Sequence, residues 1–208
     1  MRTLLIGGAR SGKSSLAARW AAERSHDVCC IVTATASDDE MAARINAHRR
    51  ERPQHWRVRE EPLQLGAALR EEGRAGGLLL VDCLTLWTAN CLWLPAKWSS
   101  AAGASDATHI TGDRQASNPQ QASGTPQTSR DLQADLPGWY AERETFLSSL
   151  RETSNEVIVV SNEVGASLVP ESAVARLFRD EQGRLNQLVA AACDCVFLVT
   201  AGLALRLK

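Results

Sequence analysis

A lysine, a hydroxyl, a carboxylate and a histidine occur at spacings that suit phosphate chemistry. Gly7-Gly8-Ala9-Arg10-Ser11-Gly12-Lys13-Ser14 matches G-x-x-x-x-G-K-[ST]. The glycines let the backbone curl until successive N–H groups face phosphate oxygens, and the helix that follows presents its positive N-terminus. In such a loop Lys13 reaches the β- and γ-phosphates and the Ser14 hydroxyl binds Mg²⁺. Leu78-Leu79-Leu80-Val81-Asp82 supplies the matching acid, a carboxylate at the end of an apolar run that can orient Mg²⁺ or its waters. An Asp in that place also serves as a plain helix N-cap. Together these features imply a nucleoside triphosphate ligand. They do not name the reaction. The guanine-reading N-K-x-D motif is absent, which argues against an ordinary GTPase switch.

A second constellation surrounds His48. Met41, Ile45 and His48 share one helical face, Arg44 precedes His48 by one turn, and Arg49, Arg50 and Arg52 follow. The bland reading is a solvated basic helix end, whose cations complement the helix dipole. The sharper one is a nucleophilic imidazole among cations that hold a polyphosphate, forming a covalent phosphorus intermediate. His26, His55 and His109 have no comparable neighbours.

The elements that must carry these residues alternate between strand and helix. Leu4–Ile6 is a strand before the loop, and Ser14–Arg24 a helix with Leu16, Ala17, Trp20 and Ala21 on one side. Val28–Val32 is the next strand. Ser37 and Glu40 form a capping box for a helix to about Arg50. A candidate short strand at Trp56–Arg59, a helix at Pro62–Glu72, the strand Leu78–Val81 and a helix at Leu84–Leu94 follow. Later come a helix at Trp139–Leu150, a strand at Val157–Val160 and a helix at Ala173–Ala192, with Gly183 a candidate break. Val196–Val199 and Leu203–Leu207 close the set. This alternation predicts a mostly parallel sheet covered on both faces, in an α/β P-loop NTPase (RecA-like) fold forming one domain over residues 1–208.

Residues 99–136 depart from that pattern. Of these 38 residues, 28 are Ser, Thr, Gln, Gly, Ala, Pro or Asn. Such a stretch cannot bury enough apolar surface to offset its ordering entropy, so it reads as a flexible polar insertion. A lid role for it is open. Charge narrows the function class further: 23 Lys+Arg against 24 Asp+Glu give a net charge of −1, with no bulk attraction to nucleic acid or anionic lipid. No apolar run reaches the roughly 20 residues of a membrane span, and Met1-Arg2-Thr3 leads straight into a strand. The expectation is a cytoplasmic protein. Its six cysteines, with no C-x-x-C pair, read as reduced structural residues.

Several separated motifs together resemble the bifunctional adenosylcobinamide kinase/adenosylcobinamide-phosphate guanylyltransferase family of cobalamin biosynthesis. They are Gly7–Ser14, Asp38–Ile45 with His48, Arg52-Pro53 with Trp56, and Val81–Thr85; then Ser161–Gly165, Val169–Glu171, Phe178–Asp180 and Gly183–Gln187. The resemblance covers most of the chain outside roughly 95–138. It implies that a nucleoside triphosphate, ATP or GTP, phosphorylates adenosylcobinamide, and that GTP then donates GMP to the new phosphate. It implies His48 as the guanylylated residue. It places nucleotide contacts on the loop residues Gly7, Gly8, Ala9, Arg10, Ser11, Gly12, Lys13 and Ser14; on Val32, Thr33 and Ala34; on Arg49, Arg50, Glu51 and Arg52; and on Glu60 and Asp82. It further implies a homo-oligomer. Two departures stand out: Val32 replaces a more usual Ala, and the polar insertion is longer than expected.

Two other readings are a monofunctional P-loop small-molecule kinase, which leaves His48 idle, and a nucleotide-binding switch without turnover. If His48 attacks as a neutral imidazole, guanylylation falls at acid pH as it protonates.

Overall fold

The computed structural model describes residues 1–35, 39–93 and 136–208. The helix cap expected at Ser37 and the insertion expected at 99–136, apart from Leu136, lie outside the described residues.

The elements are β1 (Arg2–Gly7), α1 (Lys13–Arg24), β2 (Val28–Val32), α2 (Asp39–Glu51), β3 (Arg57–Glu60), α3 (Leu65–Glu72), β4 (Leu78–Asp82) and α4 (Leu84–Trp93). They continue with α5 (Pro137–Glu152), β5 (Glu156–Asn162), α6 (Ala173–Ala192), β6 (Cys195–Thr200) and β7 (Leu203–Arg206). Seven strands form one sheet in the order β3-β2-β4-β5-β1-β6-β7. All neighbours run parallel except the terminal hairpin of β6 and β7. The strand that ends in the glycine loop and the strand that ends in Asp82 are thus separated by β5, in the RecA-like P-loop arrangement expected.

The period of two along each strand builds two cores. Leu4, Cys29, Ile31, Leu79, Val81, Val157 and Val159 face one side and pack with α3, α4, α5 and α6. Their neighbours Leu5, Val28, Cys30, Leu78, Leu80, Ile158 and Val160 face the other, against Leu16, Ala17 and Ala21 of α1 and against Trp56. Every residue of β2 is buried, because both of its faces are covered. Five of the six cysteines are buried, and four of these sit among the apolar core side chains around β2, β4 and α4.

Three expectations need correction. The third helix starts at Leu65 rather than Pro62, because Glu61 Oε1 accepts the N–H groups of Leu63 (3.2 Å) and Gln64 (2.9 Å) and holds 62–64 as a turn. The sixth runs unbroken through Gly183. Glycine costs about 1 kcal/mol there. Leu177, Leu185 and Val189 on the buried face outweigh it. Strand β5 also extends past Val160 to Asn162, since it pairs with β1 as far as Gly7.

Candidate active site

Parallel pairing brings the C-terminal ends of the strands to one edge, where open α/β sheets bind ligands. Gly7 is in register with Asn162 and Val199, and Val32 with both Asp82 and Glu60. The glycine loop, Asp82 and Glu60 therefore share that edge.

The loop is shaped by close contacts and unusual backbone angles. A Cβ on Gly7 would stand 2.2 Å from the Val199 carbonyl oxygen, so only glycine fits beside β6. Gly12 (φ 91°) and Arg10 (φ 56°) take left-handed conformations. The tip of the β6–β7 hairpin supports the loop, as Gly202 N–H donates to the Ser11 carbonyl at 2.9 Å. Helix α1 starts after Gly12 with no side-chain cap and no acidic residue in its first turn. Its terminal N–H groups and positive dipole end are left for an anion. The buried Ser11 Oγ has no hydrogen-bond partner. That hydroxyl fits a phosphate-lined cradle.

Lys13 is buried, and its ammonium donates to the Gly8 carbonyl at 3.0 Å, folding back over the loop. Desolvation lowers its pKa, opposed by the neighbouring Cys83 and Asp82 side chains. Ser14 Oγ donates to Asp82 Oδ1 at 3.3 Å. A hydroxyl beside a carboxylate is a hard-oxygen pair that suits Mg²⁺ when phosphates and waters complete its shell. Among the described residues no cluster of three His, Cys, Asp or Glu could cage a metal by itself. The other oxygen of Asp82 accepts from Arg52 at 3.2 Å, with both side chains largely buried.

His48 lies in the last turn of α2, and Glu51 ends that helix. Arg49 pairs with Glu60 at 2.5 Å, both more than half exposed. An exposed pair of this kind contributes little and exchanges easily for another partner. Among the described residues Arg50 donates to the Asn46 carbonyl of its own helix (3.3 Å). Val32 is buried, its carbonyl accepting from Glu61 N–H at 2.9 Å. Thr33 is fully buried, and its hydroxyl both donates to the Cys83 carbonyl (2.7 Å) and accepts from Cys83 N–H (3.1 Å). Its hydroxyl thus clasps the ends of β2 and β4, while Ala34 is half-exposed beside it. Ala9 and Arg10 are exposed at the loop's tip. Burial pushes the Cys83 thiol up to about 11, so it is no nucleophile at neutral pH.

Sequence reasoning left some residues without a place. Ser15 and Arg19 join Ser14, Arg52, Pro53 and Asp82 around a cavity of about 370 Å³. Their signal was the polar side of α1, which an apolar periodicity ignores. Asn186 belongs to a buried network in which Ser161 donates to it (2.6 Å) and Gln182 donates to both Ser161 and Asn186. Arg179 and Arg184 make ion pairs with Asp180 and Glu181, and Arg176 donates to two loop carbonyls.

A sequence profile of the family described as cobinamide kinase / cobinamide phosphate guanyltransferase matches residues 3–207. The bifunctional adenosylcobalamin biosynthesis protein CobP of Pseudomonas aeruginosa is 42% identical over 208 residues, covering all of this chain and 98% of that one. The corresponding CobU proteins of Escherichia coli and Salmonella typhimurium are 35% and 31% identical, each alignment covering the whole of both chains. Among solved structures, an ATPase of the type III secretion system of pathogenic bacteria aligns with 96% of this chain and 51% of that one, at 11% identity and a TM-score of 0.49.

Proposed function

Because the chain belongs to the cobinamide kinase / cobinamide phosphate guanyltransferase family, we propose that its single domain carries both reactions, with the guanylyl group passing through His48. The enzyme phosphorylates adenosylcobinamide and then converts the phosphate to adenosylcobinamide-GDP, releasing pyrophosphate. The observation that carries the assignment of roles is the Arg52–Asp82 pair, which fastens the end of the His48 helix to the strand behind the phosphate loop.

In the first reaction the loop N–H groups and Lys13 hold the phosphates of ATP or GTP, and their charge offsets that of the transferring group. Ser14 and Asp82 would hold Mg²⁺, which when bound supplies charge neutralisation between the phosphates. In the second reaction GTP occupies the same loop. The neutral imidazole of His48 attacks the α-phosphorus in line and pyrophosphate leaves. An oxygen of the corrinoid phosphate then attacks the guanylyl phosphorus, forming the diphosphate bond while the phosphorus–nitrogen bond breaks and its electron pair returns to the imidazole. Arg49, Arg50 and Arg52 offset charge on the phosphates during both displacements. Glu51, Glu60 and the chain at Val32, Thr33 and Ala34 complete the nucleotide contacts. Thr33 contributes by holding the ends of β2 and β4 in place, because its hydroxyl is committed to Cys83, its N–H to the Asp82 carbonyl and its carbonyl to Asn90 Nδ2.

The same reading makes the enzyme a cytoplasmic homo-oligomer. Among the described residues no helix is long and apolar enough to cross a membrane. A product assay tests the function. Purified protein given adenosylcobinamide, Mg²⁺, ATP and GTP should yield adenosylcobinamide-GDP by mass spectrometry. Accumulation of the phosphate alone would leave the monofunctional kinase in its place.

A further inference from the structure

The geometry points to Glu163 as the proton acceptor of the phosphorylation step, in a subsite for the acceptor hydroxyl formed beside Gly8; this rests on the kinase reading above. Glu163 follows directly on the end of β5. Its N–H donates to the Gly7 carbonyl at 3.0 Å, which fastens it to the first residue of the phosphate loop. The residue before it is held from both sides, since Asn162 N–H donates to Thr85 Oγ1 (2.8 Å) and its carbonyl accepts from Asn186 Nδ2 (3.0 Å). Behind Asn186 stands the buried Ser161–Gln182 network, so the carboxylate rests on a rigid base.

The side chain is also oriented. Glu163 Oε1 accepts from Gly165 N–H at 2.6 Å, and a Cβ on Gly165 would approach that oxygen to 2.8 Å, so a side chain there would displace the carboxylate. Oε2 has no hydrogen-bond partner among the described residues. The carboxylate borders a cavity of about 590 Å³ with Gly8, Val164, Ser167, Val199 and Thr200. That cavity is separate in its lining from the one at Ser14 and Asp82, so the loop offers one face to metal and nucleotide and another to an organic acceptor. Among the described side chains at this edge, Asp82 is engaged by Ser14 and Arg52, and Glu60 by Arg49.

The step balances with groups already named. A lone pair of the acceptor hydroxyl oxygen forms the new bond to the γ-phosphorus. The bond from that phosphorus to the β–γ bridging oxygen breaks, and its electron pair leaves on the nucleoside diphosphate. The hydroxyl proton passes to Glu163 Oε2 and from there to water. The guanylyl step starts from a phosphate that is already ionised and needs no such base.

Glu163→Gln tests this, because the amide keeps an oxygen for Gly165 and loses the proton acceptor. Phosphorylation of adenosylcobinamide should fall in kcat by a hundredfold or more. Guanylyl transfer to preformed adenosylcobinamide phosphate should fall less than about fivefold, and Glu163→Asp should recover part of the kinase rate. Equal loss in both reactions, or an unchanged kinase rate, would overturn the role of Glu163. A wild-type enzyme that phosphorylates no cobinamide would instead overturn the functional reading on which it rests.

Discussion

Arg52 donates to Asp82 across 3.2 Å, from a position one residue beyond α2 to the final residue of β4. The contact joins the helix that carries His48 to the carboxylate that faces Ser14. Only 13% and 18% of these side chains is exposed, so solvent screens the pair weakly. Arg52→Ala should therefore displace the end of α2 and lower guanylyl transfer about a hundredfold, the scale of a small misplacement of reacting groups. Phosphorylation, which in the proposed function does not use His48, should fall by less than tenfold. Steady-state rates for the two half-reactions check this, and equal losses would count against separate roles.

Gly7 marks where the loop leaves no room for a side chain. With the Val199 carbonyl oxygen 2.2 Å from the place of a Cβ, Gly7→Ala must push β1 away from β6 or reshape the loop. Affinity for both ATP and GTP should drop tenfold or more, read as loss of the nucleotide-induced rise in Tm.

In the proposed function Lys13 and Asp82 serve the phosphates in both reactions. Lys13→Ala and Asp82→Asn should each reduce phosphorylation and guanylyl transfer together, by about a hundredfold or more, as loss of a preorganised charge does. Circular dichroism should show the fold retained. Selective loss of one reaction would contradict a shared phosphate site.

Glu142 gives the fold a pH dependence away from the active site. It is buried on α5 and accepts from Gly66 N–H of α3 at 2.8 Å. Burial, reinforced by the charge of Glu61, raises its pKa from the ordinary 4.5 to about 7, while the Gly66 bond and Arg70 oppose the shift. Since the folded value lies above the unfolded one, stability present below about pH 4.5 is lost as pH rises through about 7. The difference is on the order of 3 kcal/mol. Glu142→Gln keeps the acceptor for Gly66 and cannot ionise. It should raise Tm at pH 8 and leave it nearly unchanged at pH 5. Identical Tm values for the two proteins at pH 8 would contradict the buried, ionising carboxylate.

Local signals were legible wherever spacing alone determines structure. The loop from Gly7 to Ser14, the apolar strand before Asp82 and the amphipathic side of α1 all follow from residue order. What spacing cannot carry is the order of strands. That β5 lies between β1 and β4 depends on long-range pairing, and with it comes the closeness of Glu163 to Gly7. The same holds for Arg52, which read as one of several basic residues until tertiary contact paired it with Asp82. Thr33 shows the reverse: a residue implied as a ligand contact has its hydroxyl committed to a buried clasp. Gly183 misled because a helix-breaking propensity of about 1 kcal/mol is small beside the buried face of α6.

The central claim is that His48 carries the guanylyl group. The direct measurement is label retention after incubation with Mg²⁺ and GTP labelled at the α- or the γ-phosphate, followed by alkaline denaturation. The account predicts acid-labile α-label on the protein, no γ-label, and neither on His48→Asn. A folded, GTP-binding wild-type protein that retains no α-label, or a His48→Asn variant that retains it, would contradict the account.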